Sequence, residues 1–362
     1  MTSPRPLVRR LTAIAVAGAL LAVAAACGDD DTSEGSTGDR DVTIRLLTHD
    51  SFAVSDEVLD AFTERTGIHV ELLQGGDAGT VVNQAILGKG NPQADVLFGI
   101  DSTFLTRALE EDLFEPYEAK NIREVAGAYV LDGSHRVTPI DYGDVCLNYD
   151  KAYFAEAGLP VPEALEDLTD PAYRDLLVVE NPATSSPGLA FLLASVEAFG
   201  EDGWQQWWTE LRANGVEVVD GWEDAYYGSF SGGSGSEGDR PLVVSYASSP
   251  PVEVVFADPP VDEPPTGVID ASCYRQVEGA GILAGTDHEE EAGQLIDFLL
   301  SEPFQADVPL SMFVFPVRSG VELPELFVEH AAQPTEVFEL PAAEIDANRE
   351  EWIDRWTDLV LR

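Results

Sequence analysis

The stretch VTIRLLTHDSFAVSDEVLDAFTERTGIHVELLQGGDAGT, residues 42–80, decides the fold. VTIRLLT reads as a strand. SDEVLDAFTERTG reads as a helix: Ser55 stands at its N-cap, Val58, Leu59 and Phe62 share one face, and Gly67 closes it. IHVELLQ is a second strand, so strand, helix and strand form one crossover unit of a parallel sheet. Further on, ADVLFGI (94–100), LLVVEN (176–181) and PLVVSYA (241–247) are short and apolar on both faces, the composition of strands buried between two layers of helices. The chain is therefore α/β with mainly parallel sheets flanked by helices. Each strand ends in a polar or glycine-rich loop: His49-Asp50-Ser51, residues 75–80, Asp101-Ser102, residues 182–188 and Ser248-Ser249. In open α/β sheets the ligand crevice lies beyond the carboxyl ends of the strands, so these loops are expected to converge on one cleft.

Two stretches read as crossings between lobes. VTPIDYGDVCLNYDK (137–151) leaves the first lobe, and SCYRQVEGAGILAGT (272–286) returns to it. Lobe 1 is thus expected at 41–141 plus 272–320 and lobe 2 at 142–271, with a helical segment at 321–362 assigned to neither. In that segment Trp352 and Trp356 stand one turn apart on a stripe with Ile345, Leu359 and Val360, which reads as packing. The insert SGGSGSEGDR (231–240) reads as a mobile surface loop.

Residues 1–26 read as an export signal: MTSPRPLVRR carries three arginines and no acid, and the apolar run after it is too short for a good membrane span. Ala24-Ala25-Ala26 before Cys27 resembles a bacterial lipobox, in which Cys27 takes the lipid anchor. The alternative is an ordinary cleaved signal with an incidental cysteine. Residues 28–40, GDDDTSEGSTGDR, lack large apolar side chains and read as a tether, so the only membrane contact expected is the lipid. Twenty basic against 66 acidic residues give a formal charge of −46, which makes nucleic acid an unsuitable partner. Acidity of that size also suits a salt-adapted proteome, so it names no ligand. Besides Cys27 only Cys146 and Cys273 are present, too far apart in sequence for a compact zinc or iron–sulfur site. Outside the cytoplasm they are expected either to pair across the crossover strands or to lie buried separately.

Nine motifs carry a family resemblance: THDSF (48–52), DAGTVVN (77–83), ADVLFGID (94–101), IDYG (140–143), TSSPGLAFLL (184–193), GWEDAY (221–226), SYASSP (245–250), QVEGAG (276–281) and FVFPV (313–317). Over residues 41–362 the chain resembles the thiamine-binding periplasmic proteins, a branch of the two-lobed solute-binding superfamily that also holds ferric-iron and polyamine binders. The resemblance implies a two-lobed periplasmic-binding-protein fold of type II, a cleft that closes on its ligand like a hinge, no enzymatic activity, no cofactor, a monomer, and delivery to an ABC permease. It implies ligand contacts at Asp77, Ala78, Ser185, Ser186, Trp222, Tyr246, Ala247, Ser248, Ser249 and Pro250. At 78, 186, 247 and 248 the residues depart from the family pattern by small changes or loss of a hydroxyl, which bears on the choice among thiamine, its monophosphate and its diphosphate.

Thiamine joins a cationic thiazolium to a flat aminopyrimidine, so a receptor needs aromatic faces and an acid. Trp222, Tyr226 and Tyr246 are candidate faces. Asp77 is the first candidate for the charge partner, with Asp50, Asp101 and Asp141 placed by strand phase alone. Ser186 before Pro187 reads as the N-cap of LAFLLASVEAFG, and the exposed N–H groups of such a helix start also suit a phosphate or hydroxyl. The rivals are a ferric-iron binder using the vicinal Tyr226-Tyr227 pair with His49 or Asp141, and a polyamine binder. No Gly-x-Ser-x-Gly, His-Glu-x-x-His or P-loop is present, and the five histidines are scattered, which argues against an enzyme.

Overall fold

The computed structural model describes residues 42–362; the expected export signal, the expected lipidation site Cys27 and the expected tether at 28–40 lie outside the described residues. The chain begins β1 (Val42–Thr48), α1 (Asp56–Thr66), β2 (Ile68–Gln74), α2 (Ala78–Leu87), β3 (Val96–Asp101), α3 (Leu105–Glu110) and a short β4 (Phe114–Glu115). The long β5 (Thr138–Asp150) leads to α4 (Lys151–Ala157), β6 (Leu177–Glu180), α5 (Ser186–Ala213), β7 (Glu217–Val219), β8 (Leu242–Tyr246) and α6 (Pro250–Val255). The equally long-reaching β9 (Thr266–Leu283) returns to α7 (Glu289–Leu299), α8 (Glu302–Ser311), β10 (Phe315–Pro316), α9 (Glu325–His330) and α10 (Ala342–Val360).

The strands order as β2-β1-β3-β9-β5-β8-β6-β7. β1 lies parallel to β2 and β3, and β6 parallel to β7 and β8, so each half of the sheet is built from the crossover units visible in the sequence. β9 runs antiparallel to both β3 and β5, and β5 antiparallel to β8. These two strands are shared by both halves. Their pairing skips register between Val145 and Leu147, where the partner jumps from Tyr274 to Ile269. A bulge of this kind bends the strands and increases their twist. It sits where Cys146 and Cys273 are joined in a disulfide, with Ala247 packed beside them.

Two large apolar clusters fill the fold, one within the first half and one that joins α2, β3 and α3 to the second half. Ile44, Leu46, Val96, Phe98 and the inner faces of α7 and α8 form one cluster. The other gathers around α5, whose Trp204 and Trp208 are buried, and extends to Trp356 of α10, edge-on to Trp208 at 5.4 Å. α10 touches both α5 and α3. Local signals held at α1, whose C-cap Gly67 adopts φ 72° as glycine readily does. The Ser55 hydroxyl, however, does not cap the helix; it bonds to Asp307 of α8. The insert at 231–240 also differs from a free loop. Ser231 N–H donates to the Arg240 carbonyl, Arg240 N–H to the Ser229 carbonyl, and the Ser234 hydroxyl to Glu253 at 2.6 Å.

Candidate functional site

At the carboxyl ends of the strands a cavity of about 280 Å³ opens between the two halves of the sheet. That is close to the small end of ordinary ligand pockets, roughly 300 to 1,000 Å³. β1 delivers His49 and Asp50, β2 delivers Asp77 and Ala78, and β8 delivers Tyr246 and Ser249. α5 opens at the wall with Ser186, and the turn before a short π-helix (Asp224–Ser229) supplies Trp222. Four of the five expected loops therefore meet directly. The fifth, at Asp101-Ser102, stands one layer back.

Of the residues expected to touch a ligand, Asp77, Ala78, Ser186, Trp222, Tyr246, Ser249, Asp50 and Asp141 line the cavity. Ser185, Ala247, Ser248, Pro250, Asp101 and Tyr226 do not. Ser185, rather than Ser186, is the N-cap of α5, its Oγ accepting from Gly188 N–H at 3.3 Å, and it is fully buried. Ala247 turns into the disulfide cluster, its N–H donating to the Asp144 carbonyl. Ser248 and Pro250 are buried in the turn into α6. Tyr226 lies stacked beneath Trp222, ring centroids 5.0 Å apart at 21°, and is fully buried in the core. Its neighbour Tyr227 faces the cavity instead, the two rings standing at 80°.

Asp77 is held by backbone. Its two carboxylate oxygens accept from Ser186 N–H and Trp222 N–H, both at 3.0 Å, which ties the end of β2 to the start of α5 and to the Trp222 turn. Burial raises its pKa, against the pull of those two donors. A relay then runs along the cavity floor. The Tyr246 hydroxyl donates to Gln276 Oε1 at 2.9 Å, Gln276 Nε2 to Ser186 Oγ at 2.5 Å, and Ser186 Oγ to Asp101. Tyr246 can lie on the strand because residue 143 is glycine; a Cβ there would sit 2.8 Å from the ring's Cδ1. On the other wall His49 Nε2 stands 3.3 Å from Glu278. Burial disfavours the imidazolium, but Glu278, Asp77 and Asp50 outweigh it and raise the pKa. Asp141, opposite Glu278 on the neighbouring strand, is driven well above the ordinary carboxylate range by burial and by that carboxylate.

Gln276 and Glu278 were missed as site residues. The signal was available, since side chains two apart in a strand, such as Gln276 and Glu278, point to one face. The apolar rim of Val252, Phe256 and Met312–Val314 was missed because it comes from segments distant in sequence.

Asp101 offers a test of this layer. It is fully buried, with Thr103 N–H and Oγ–H both 2.6 Å from Oδ1, yet burial raises its pKa to about 6. The folded carboxyl thus keeps its proton to a higher pH than the unfolded one. Its contribution to stability is present below the unfolded pKa and falls as pH rises from about 4 to about 6. Asp101→Asn removes this term, so between pH 4 and 7 the variant is expected to gain about 3 kcal/mol relative to the parent. Urea denaturation at several pH values checks it; parallel pH profiles would show that Asp101 does not titrate in this window.

The sequence model of the family described as "Bacterial extracellular solute-binding protein" matches residues 91–335. The thiamine-binding periplasmic protein of Escherichia coli (strain K12) is 29% identical, covering 88% of this chain and 94% of its own length. The iron uptake protein A1 of Synechocystis is 24% identical, covering 82% of each chain. Among solved structures, a periplasmic thiamin binding protein superposes with a TM-score of 0.76 at 27% identity, covering 88% of this chain and 96% of that one. The fold shared with it is the two-lobed periplasmic-binding-protein arrangement, with the ligand cleft between lobes.

Proposed function

This chain belongs to the bacterial extracellular solute-binding proteins, and we propose from that premise that its cleft captures thiamine for an ABC permease. Members of such systems are extracytoplasmic receptors that bind a small solute, not enzymes. The observation that carries the thiamine reading is the composition of the cavity wall. Trp222, Tyr227 and Tyr246 offer ring faces or edges, and five acidic side chains, Asp50, Asp77, Asp141, Glu223 and Glu278, surround them. A flat organic cation gains twice there, since a desolvated cation over a ring is stabilised by about 2 kcal/mol in favourable cases and the acids add attraction. The iron reading needs both vicinal tyrosines as phenolates. Tyr226 instead is buried under Trp222 with its hydroxyl on the Glu253 side, where burial and that carboxylate hold the pKa well above normal.

The same reading keeps lobe 1 at 41–141 plus 272–320 and lobe 2 at 142–271, limits supported by the shared bulge of β5 and β9, and anchors a monomer through lipidated Cys27. α10, packed on both α3 and α5, belongs to neither lobe alone. Titration calorimetry against thiamine, spermidine and ferric citrate tests it. Thiamine is expected to bind at micromolar or tighter Kd without turnover. A coloured ferric complex, or spermidine binding in place of thiamine, would overturn the assignment.

A further inference from the structure

Resting on the thiamine reading, the geometry points to how the cleft balances the charge of its ligand: we infer that the cation enters in exchange for a proton shared by Asp141 and Glu278. Asp77 is already engaged. One of its oxygens accepts from Ser186 N–H and the other from Trp222 N–H, both at 3.0 Å. Asp141 lines the same cavity at 2% exposure, and its Oδ2 is buried without a hydrogen-bond partner. The pairing of β5 with β9 sets it directly across from Glu278, which also lines the cavity. A carboxylate oxygen only accepts, so two ionised acids placed together in a desolvated wall repel and leave each other unsatisfied. Either a shared proton or a cation laid against both relieves this. The two remedies exclude one another, because the cation gains most when both acids are ionised.

The surroundings of the pair are acidic on every side. Among the described residues lining the cavity there is no lysine or arginine, and the basic group present, His49, has its Nε2 placed 3.3 Å from Glu278. Asp50 follows it in the loop after β1, and β3 brings Asp101, the register partner of Glu278. β8 brings Tyr246, whose hydroxyl donates to Gln276. β10 pairs Pro316 with Asp141, and its next charged residue, Arg318, is turned to the Leu300 carbonyl and to Glu124. Asp77 and Glu223 complete the acids of the wall. In this company burial first, then Glu278 and Asp101, hold the Asp141 pKa well above the ordinary carboxylate range.

Calorimetry of thiamine binding to the parent in two buffers of different ionisation heat counts the protons exchanged. Linkage sets the sign: the free cleft holds more protons than the occupied one, so affinity rises with pH until the free pair has lost its proton. Release of up to about one proton is expected, with Kd tightening by up to about tenfold per pH unit and then levelling. Asp141→Asn is expected to abolish the release and flatten the profile, since an amide has no proton to give up and its N–H satisfies Glu278. His49→Gln is expected to keep the release, whatever it does to affinity. A proton count near zero at every pH, proton uptake, or release that survives Asp141→Asn overturns the inference while leaving the thiamine reading intact. Absence of thiamine binding at every pH overturns the thiamine reading instead, and the ligand-free protein then decides the pair. A group whose folded pKa is raised stabilises at low pH and loses that contribution as pH rises, so the stability of Asp141→Asn relative to the parent is expected to grow with pH in urea denaturation. A difference that stays constant with pH overturns the shared proton.

Discussion

The double variant Cys146→Ala/Cys273→Ala is expected to be less stable than the oxidised parent by about 2 to 5 kcal/mol. The two cysteines are 127 residues apart, so the bond closes a very long loop and removes many conformations from the unfolded chain. β5 and β9 bring the two positions together at their shared bulge. Both side chains are buried, Cys146 fully, and Ala247 packs against them, so alanine at both sites leaves no lone thiol. Denaturant unfolding of parent and variant measures the difference, with thiol titration of the unfolded parent as control. Equal stability together with two titratable thiols would show that the oxidised protein does not hold the bond.

Trp222→Ala is expected to weaken thiamine by about 1 to 3 kcal/mol, roughly 5- to 150-fold in Kd, with little change in stability. The indole is half-buried and lies between the cavity and Tyr226, and its Nε1–H donates to Ser245 Oγ at 2.9 Å, which fixes the plane offered to a ligand. Truncation removes the face and frees Ser245, while Asp77 keeps its backbone donor at residue 222, since alanine has the same N–H. Trp222→Phe should recover part of the affinity, as a smaller ring still stacks on Tyr226. Unchanged calorimetry in the alanine variant would remove Trp222 from the site.

Much of the scaffold was legible in the sequence because its signals are local. The spacing of Val58, Leu59 and Phe62 with Gly67 after them fixed α1, and strand phase placed His49, Asp77 and Tyr246 at one end of the sheet. What strand phase lacks is depth. Asp101 ends β3 at the right level, yet Ser186 stands between it and the cavity. The Tyr226-Tyr227 pair could not be resolved either: consecutive residues of a helical turn point in different directions, and only the packing of Val178, Val243 and Phe230 decides which ring goes inward. Asp77 was read as a charge for the ligand. Its two backbone partners, 109 and 145 residues away, show that it also fastens three loops together, a long-range relation no local pattern carries. The two crossing stretches that became β5 and β9 were legible as such, while their register was not, because the pairing partners lie more than a hundred residues apart.

Gly143 has a consequence for how this receptor can evolve. Its wall position is defined by a hydrogen where every other amino acid carries carbon, and the atom that would collide belongs to a ring whose hydroxyl is anchored to Gln276. Even the mildest replacement would swing that phenol away from its anchor and reshape the chamber. Any side chain at residue 143 therefore changes the chamber in one step rather than by degrees.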